Sequence, residues 1–180
     1  WALVGEPSSI RPIFAHKGLA VWEIGADLTM GNPPPEERRE MTEIVFTGES
    51  AHASTPRLGS NAVLAAIDFL VASARRGSAP VVFGLSGGTA SNVVPARCAI
   101  LVAHDPGVEE EARSAGAHAQ RLGMRPGRTL PCVPFLADLL QGLRDLEGRF
   151  GERKDDAFDP PMTTMNVGVV NNREGTIKIH

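Results

Sequence analysis

Apolar runs of strand length come in pairs along this chain, and stretches with helical periodicity split the pairs from one another. Runs at 17–24 and 43–47 are followed by a helical pattern, runs at 81–85 and 98–103 by two more, and runs at 165–170 and 176–180 close the chain. This order constrains the architecture more than any other feature. Paired runs pair as antiparallel neighbours, and the helices between them must cover the sheet they build. The expectation is an α+β fold, a mostly antiparallel sheet with helices packed on one face.

The helical patterns carry their own boundaries. Over 61–75, Val63, Leu64, Ile67, Leu70, Val71 and Ala74 share one face, Arg75 and Arg76 suit the C-terminal dipole, and Gly77 supplies the left-handed stop. Asp105 as N-cap and Pro106 in the first turn start a second helix, whose thin stripe of Val108, Ala112, Ala115, Ala119 and Leu122 predicts that it runs to Gly123. After Pro134, the residues Phe135, Leu136, Leu139, Leu140, Leu143, Leu146 and Phe150 predict a third helix ending at Gly151. The insert 31–40, rich in Pro and charge, reads as a solvated loop between the first two strands. Asn171-Asn172-Arg173-Glu174-Gly175 reads as a hairpin turn, and 155–161 as a polar connection.

Composition excludes several function classes. Eighteen Lys and Arg against 21 Asp and Glu give a net charge of −3 with no long basic run, which disfavours nucleic acid as a partner. Aromatic residues are 5% with no Tyr, too few for base-stacking platforms. No apolar stretch approaches the ~20 residues of a membrane-spanning helix. Two cysteines, Cys98 and Cys132, are too few for a disulfide framework or a four-thiolate zinc site, so they read as core thiols of a reducing, cytoplasmic compartment. The chain opens on Trp1 in an apolar run and closes on the alternating Thr176-Ile177-Lys178-Ile179-His180, which suggests an excised segment of a longer protein. The glycines at 84–89 lack the Lys of a phosphate loop, and the five histidines form no His-Glu-x-x-His pair.

Three segments stand out: Val4-Gly5-Glu6-Pro7-Ser8-Ser9 with His16-Lys17-Gly18; Phe46-Thr47-Gly48-Glu49-Ser50-Ala51-His52-Ala53-Ser54-Thr55-Pro56-Arg57-Leu58-Gly59-Ser60-Asn61; and Gly87-Gly88-Thr89-Ala90-Ser91-Asn92-Val93-Val94-Pro95. Together, in this order, they resemble the family of aminoacylase, acetylornithine deacetylase, succinyl-diaminopimelate desuccinylase and related carboxypeptidases. These are zinc amide hydrolases whose catalytic domain is interrupted by a lid, or dimerisation, domain. Thr163-Thr164-Met165-Asn166-Val167-Gly168 resembles lid strands of the dipeptidase branch. The resemblance implies a remnant of the catalytic domain and hinge over 1–9 and a ferredoxin-like lid over 10–180, extended or duplicated relative to a minimal one.

The implied chemistry is amide hydrolysis of an N-acyl amino acid or small peptide. Two zinc ions about 3.5–4 Å apart activate a water, and the tetrahedral oxyanion needs donors beyond the metals. Glu6 matches an acidic metal ligand, while the other ligands belong to a catalytic domain not contained in this sequence, so the fragment is not expected to hold the metal pair alone. His52 matches the lid histidine that donates to the oxyanion, in many members across a subunit boundary. Asn92 matches the lid asparagine that contacts substrate, and Asn166 begins a second motif of the same kind. Lys17 and Gly18 match the turn that opens the lid; Gly59 and Asn61 shape the turn into the first helix.

Without the motif, His52 reads as a solvated loop histidine, and Asn92 as a residue bonding its own backbone before Pro95. One departure bears on substrate binding. Family lids commonly carry an arginine after the third segment to grip a carboxylate, and here the stretch reads Ala103-His104-Asp105. The rival to the enzyme-lid reading is therefore a non-catalytic dimerisation module. Homodimer in trans and duplicated lid in cis both remain open.

Overall fold

The computed structural model describes residues 17–28, 36–173 and 175–180. Among the described residues seven strands form one sheet: β1 (Ile24–Asp27), β2 (Glu36–Thr47), β3 (Val82–Gly87), β4 (Arg97–Ala103), β5 (His118–Arg128), β6 (Val170–Arg173) and β7 (Thr176–Ile179). Three helices accompany them: α1 (Ala62–Arg75), α2 (Pro106–Ser114) and α3 (Val133–Gly151). The order across the sheet is β1-β7-β6-β3-β4-β2-β5, and every pairing is antiparallel. The expected α+β architecture is therefore present.

The sheet has two parts. From β2 to β5 the chain runs β-α-β-β-α-β with β2 and β4 central, the ferredoxin-like arrangement. Beyond β3, the β6–β7 hairpin and β1 extend the sheet, joined to it through the Gly87–Val170 pair. The edge of β3 is thus occupied by this chain's own later strands.

Packing follows from the two periodicities. On β2, Thr42, Ile44 and Phe46 alternate onto one face and are buried. Phe46 meets Phe69 of α1 at 5.4 Å between ring centroids, and Thr42 meets Glu109 of α2, so both helices cover the same face. Cys98, Ile100 and Val102 of β4 and Val82 and Leu85 of β3 complete that core. Two of these helices, α1 and α2, are capped as their sequence dictates. The Asn61 side chain accepts from the N–H groups of Val63 and Leu64, and Asp105 from those of Gly107 and Val108. α3 buries Leu136 and Leu140 in the same core, leaves Leu139 and Leu143 half-buried, and runs beside α1 with Arg144 paired to Asp68 at 2.9 Å. No helix among the described residues is long and apolar enough to cross a membrane.

Four expectations are corrected. The second helix ends at Ser114 rather than near Gly123: Gly116 turns the backbone at φ 81° and the chain enters β5. Ala115, Ala119 and Leu122 mimic a helical stripe, but β5 is an edge strand exposed along most of its length, so its sequence carries little alternation. Residues 36–40 are strand rather than loop, paired with 124–128 in a two-stranded ribbon beyond the reach of β4. The first strand spans Ile24–Asp27 rather than 17–24, and 165–169 lies outside the strands although Val169 exchanges backbone hydrogen bonds with His180, so β6 takes positions assigned to a turn. Glu6 and the rest of 1–9 lie outside the described residues.

Candidate functional site

His52 sits on a loop between β2 and α1 that is closed at its base. Glu49 and Ser60 exchange both backbone hydrogen bonds at 3.0 Å. Glycine is required on both sides of that closure. A Cβ on Gly48 would stand 2.0 Å from the Ser60 carbonyl oxygen, and one on Gly59 2.4 Å from that of Glu49. The loop's outer half is zipped to the segment carrying Asn92. Ala53 N–H donates to Asn92 O at 3.0 Å, Val94 N–H donates to Ala51 O at 2.8 Å, and His52 faces Val93. His52 and Asn92 are both exposed, and Asn92's side chain has no hydrogen bond to a described residue.

The imidazole is oriented locally. The backbone N–H of Ser54 lies 3.1 Å from His52 Nδ1, and Ser54 Oγ lies 2.8 Å from it. A backbone N–H only donates, so Nδ1 accepts and the ring proton sits on Nε2. The exposed ring therefore offers an N–H donor from a fixed tautomer.

Asn166 lies beside this site with its amide turned inward. Its Nδ2 donates to Val93 O at 2.9 Å, and its Oδ1 accepts from Asn61 Nδ2 at 3.1 Å. Asn61 Nδ2 also reaches Val167 O at 2.9 Å while its Oδ1 caps α1. Asn61 thus shapes the start of α1, as expected, and ties it to the strap 162–168. At Gly168 a Cβ would lie 2.6 Å from Ser91 Cα, so the strap rests directly on the Asn92 loop's backbone. Lys17 Nζ donates to Met162 O at 2.7 Å and to Pro160 O, tying the start of the described chain to the strap. Sequence reasoning missed this tie and the contact of Thr164 Oγ1 with Ala53 O, because neither hydroxyl nor lysine carries a pattern that announces its partner.

His104, where a substrate-gripping arginine was sought, belongs to a different network. Its Nδ1 lies 2.7 Å from Glu109 Oε1, which also accepts from Thr42 Oγ1 at 2.7 Å. Arg113 pairs with the other carboxylate oxygen at 3.1 Å, and Arg121 lies 3.5 Å from the first. Burial opposes the charge on Glu109, yet the hydrogen bonds from Thr42, His104 and Arg113, with the Arg121 charge, hold its carboxyl below the usual carboxylate range. Among the described residues no group of three or more His, Cys, Asp or Glu converges to hold a metal ion. The described residues by themselves do not fit a zinc pair.

Comparison with known proteins agrees with this fold. Residues 41–122 match the family model described as "Peptidase dimerisation domain". The chain resembles the solved aminoacylhistidine dipeptidase from Vibrio alginolyticus, with a TM-score of 0.65 at 14% identity, over 87% of this chain and 36% of that one. Weaker likenesses include an aminobenzoyl-glutamate utilization protein from Klebsiella pneumoniae (TM-score 0.35, 21% identity, 63% of this chain and 34% of that one). An amidase of the hydantoinase/carbamoylase family from Burkholderia multivorans gives 0.31 and 24%, over 66% of this chain and 34% of that one. No curated protein sequence matches. The chain spans 34–36% of the length of these solved proteins.

Proposed function

We propose, for a chain whose residues 41–122 match the peptidase dimerisation domain, that it serves as the lid of a zinc-dependent enzyme that hydrolyses the amide bond of an N-acyl amino acid or small peptide. The observation that carries this reading is the exposed His52, held with Nδ1 as acceptor and Nε2–H outward. Amide hydrolysis places negative charge on the carbonyl oxygen, and a neutral, oriented N–H donor at that oxygen stabilises the transition state more than the ground state. Asn92, exposed on the adjoining loop, is proposed to contact substrate near the same carbonyl. Asn166 is proposed to act on substrate through its placement of the Asn92 loop. The zinc pair would be held outside the described residues, with Glu6 proposed as one ligand.

The test is His52→Ala in the protein that carries this chain. The expected result is a kcat lower by roughly 10²–10³, with the melting temperature unchanged because the ring is exposed. Full activity in the variant would overturn the donor role, and full activity in excess chelator would overturn the zinc. A second reading, a non-catalytic dimerisation module, draws on one observation: the stretch where family lids commonly carry an arginine reads Ala103-His104-Asp105, with His104 bound to Glu109 and Asp105 capping α2. Under that reading, the protein shows no amide hydrolysis with or without zinc.

A further inference from the structure

We propose that Thr164 is a positioning residue for His52, acting through the single peptide unit that joins Ala53 to Ser54. The two ends of that unit face different partners. Its N–H, from Ser54, donates to His52 Nδ1 at 3.1 Å and fixes the ring tautomer. Its carbonyl, from Ala53, accepts from Thr164 Oγ1 at 3.3 Å. An amide that accepts at its oxygen becomes a better donor at its nitrogen, because the two bonds polarise the same group. The hydroxyl also resists rotation of the peptide plane, which would swing the N–H away from the ring.

The surroundings make this contact dependable. Thr164 is half-buried on the strap that Asn166 and Gly168 clamp to the Asn92 loop on one side and Lys17 ties on the other. Ala53 N–H is bound to Asn92 O, so the residue is held at its nitrogen as well as its oxygen. The strap lies outside the 41–122 segment that matches the dimerisation domain. The added part of this chain thus reaches back to set the hydrogen-bonding state of the matched part's histidine.

The consequence for turnover rests on the proposed donor role of His52; the tautomer does not, and the experiment separates them. Nitrogen NMR of the imidazole in the full 180-residue chain reads the ratio of Nε2–H to Nδ1–H forms. Thr164→Val is expected to lower that ratio roughly three- to tenfold, and Thr164→Ser to keep it at the wild-type value. Thr164→Ala removes the hydroxyl without the branched methyls and should match Thr164→Val, which guards against a packing artefact. A ratio unchanged in both hydroxyl-free variants, or lowered equally in Thr164→Ser, overturns the proposal. Where the ratio falls but kcat in the intact enzyme stays at the wild-type value, the positioning stands and the donor reading of His52 fails.

Discussion

His52 and His104 each engage Nδ1, and the partner decides what the rest of the ring can do. At His52 the partner is a backbone N–H, so the ring accepts at Nδ1 and presents a donor to solvent. At His104 the partner is an ionised carboxylate, so Nδ1 donates inward and the ring serves the fold. Surroundings match the roles. The His52 loop is built from small residues on an exposed rim, whereas His104 has 13% of its side chain exposed and Glu109 only 4%. The polarity of the Nδ1 neighbour thus separates a ring that presents a donor to solvent from one turned into the fold.

This contrast can be broken from the structural side first. Glu109→Ala should cost about 2–3 kcal/mol in chemical denaturation, because it removes the buried carboxylate that takes both the Thr42 hydroxyl and the His104 N–H and leaves these two only their 3.3 Å contact with each other. Arg113 and Arg121 are half-exposed, and solvent screens their loss. The same carboxylate gives a pH signature. Its folded pKa lies below its unfolded value, so its contribution is full above the unfolded pKa and is lost as pH falls through the folded one. Stability should drop as the solution is acidified below the ordinary Glu range, about pH 4.3, and Glu109→Gln should flatten that drop. His104→Gln should cost about 1 kcal/mol, the worth of one buried hydrogen bond, and leave turnover intact. Smallest of all, Ser54→Ala should change stability by less than about 0.5 kcal/mol and leave the His52 tautomer in place, since the backbone N–H remains. A tautomer shift in that variant would move the orienting role from the Ser54 backbone to its hydroxyl.

Much of this was readable before any coordinates. α1 and α3 stand where Val63 to Ala74 and Leu136 to Phe150 put them, because each covers a core and must show its period. The ribbon of 36–40 with 124–128 was invisible, since Glu36 to Glu40 are all charged and carry no apolar alternation, while their strand is set by backbone pairing with β5. The motif singled out His52 and Asn92, and both stand exposed on adjoining loops, as the sequence places small and polar residues around them. That the Asn166 amide faces Val93 and Asn61 could not be read, because a side chain's hydrogen-bond direction depends on segments more than seventy residues away.

The two cysteines have a practical consequence. Both thiols are free and buried, and desolvation pushes each up to about 12. Neither is a thiolate at neutral pH, so neither reacts until the surrounding structure opens. Cys98 lies on β4 of the ferredoxin-like unit and Cys132 at the start of α3 in the added part. Their separate alkylation rates are thus two clocks on one shared core, read at β4 and at the start of α3, and equal rates would mean that this core opens in a single event.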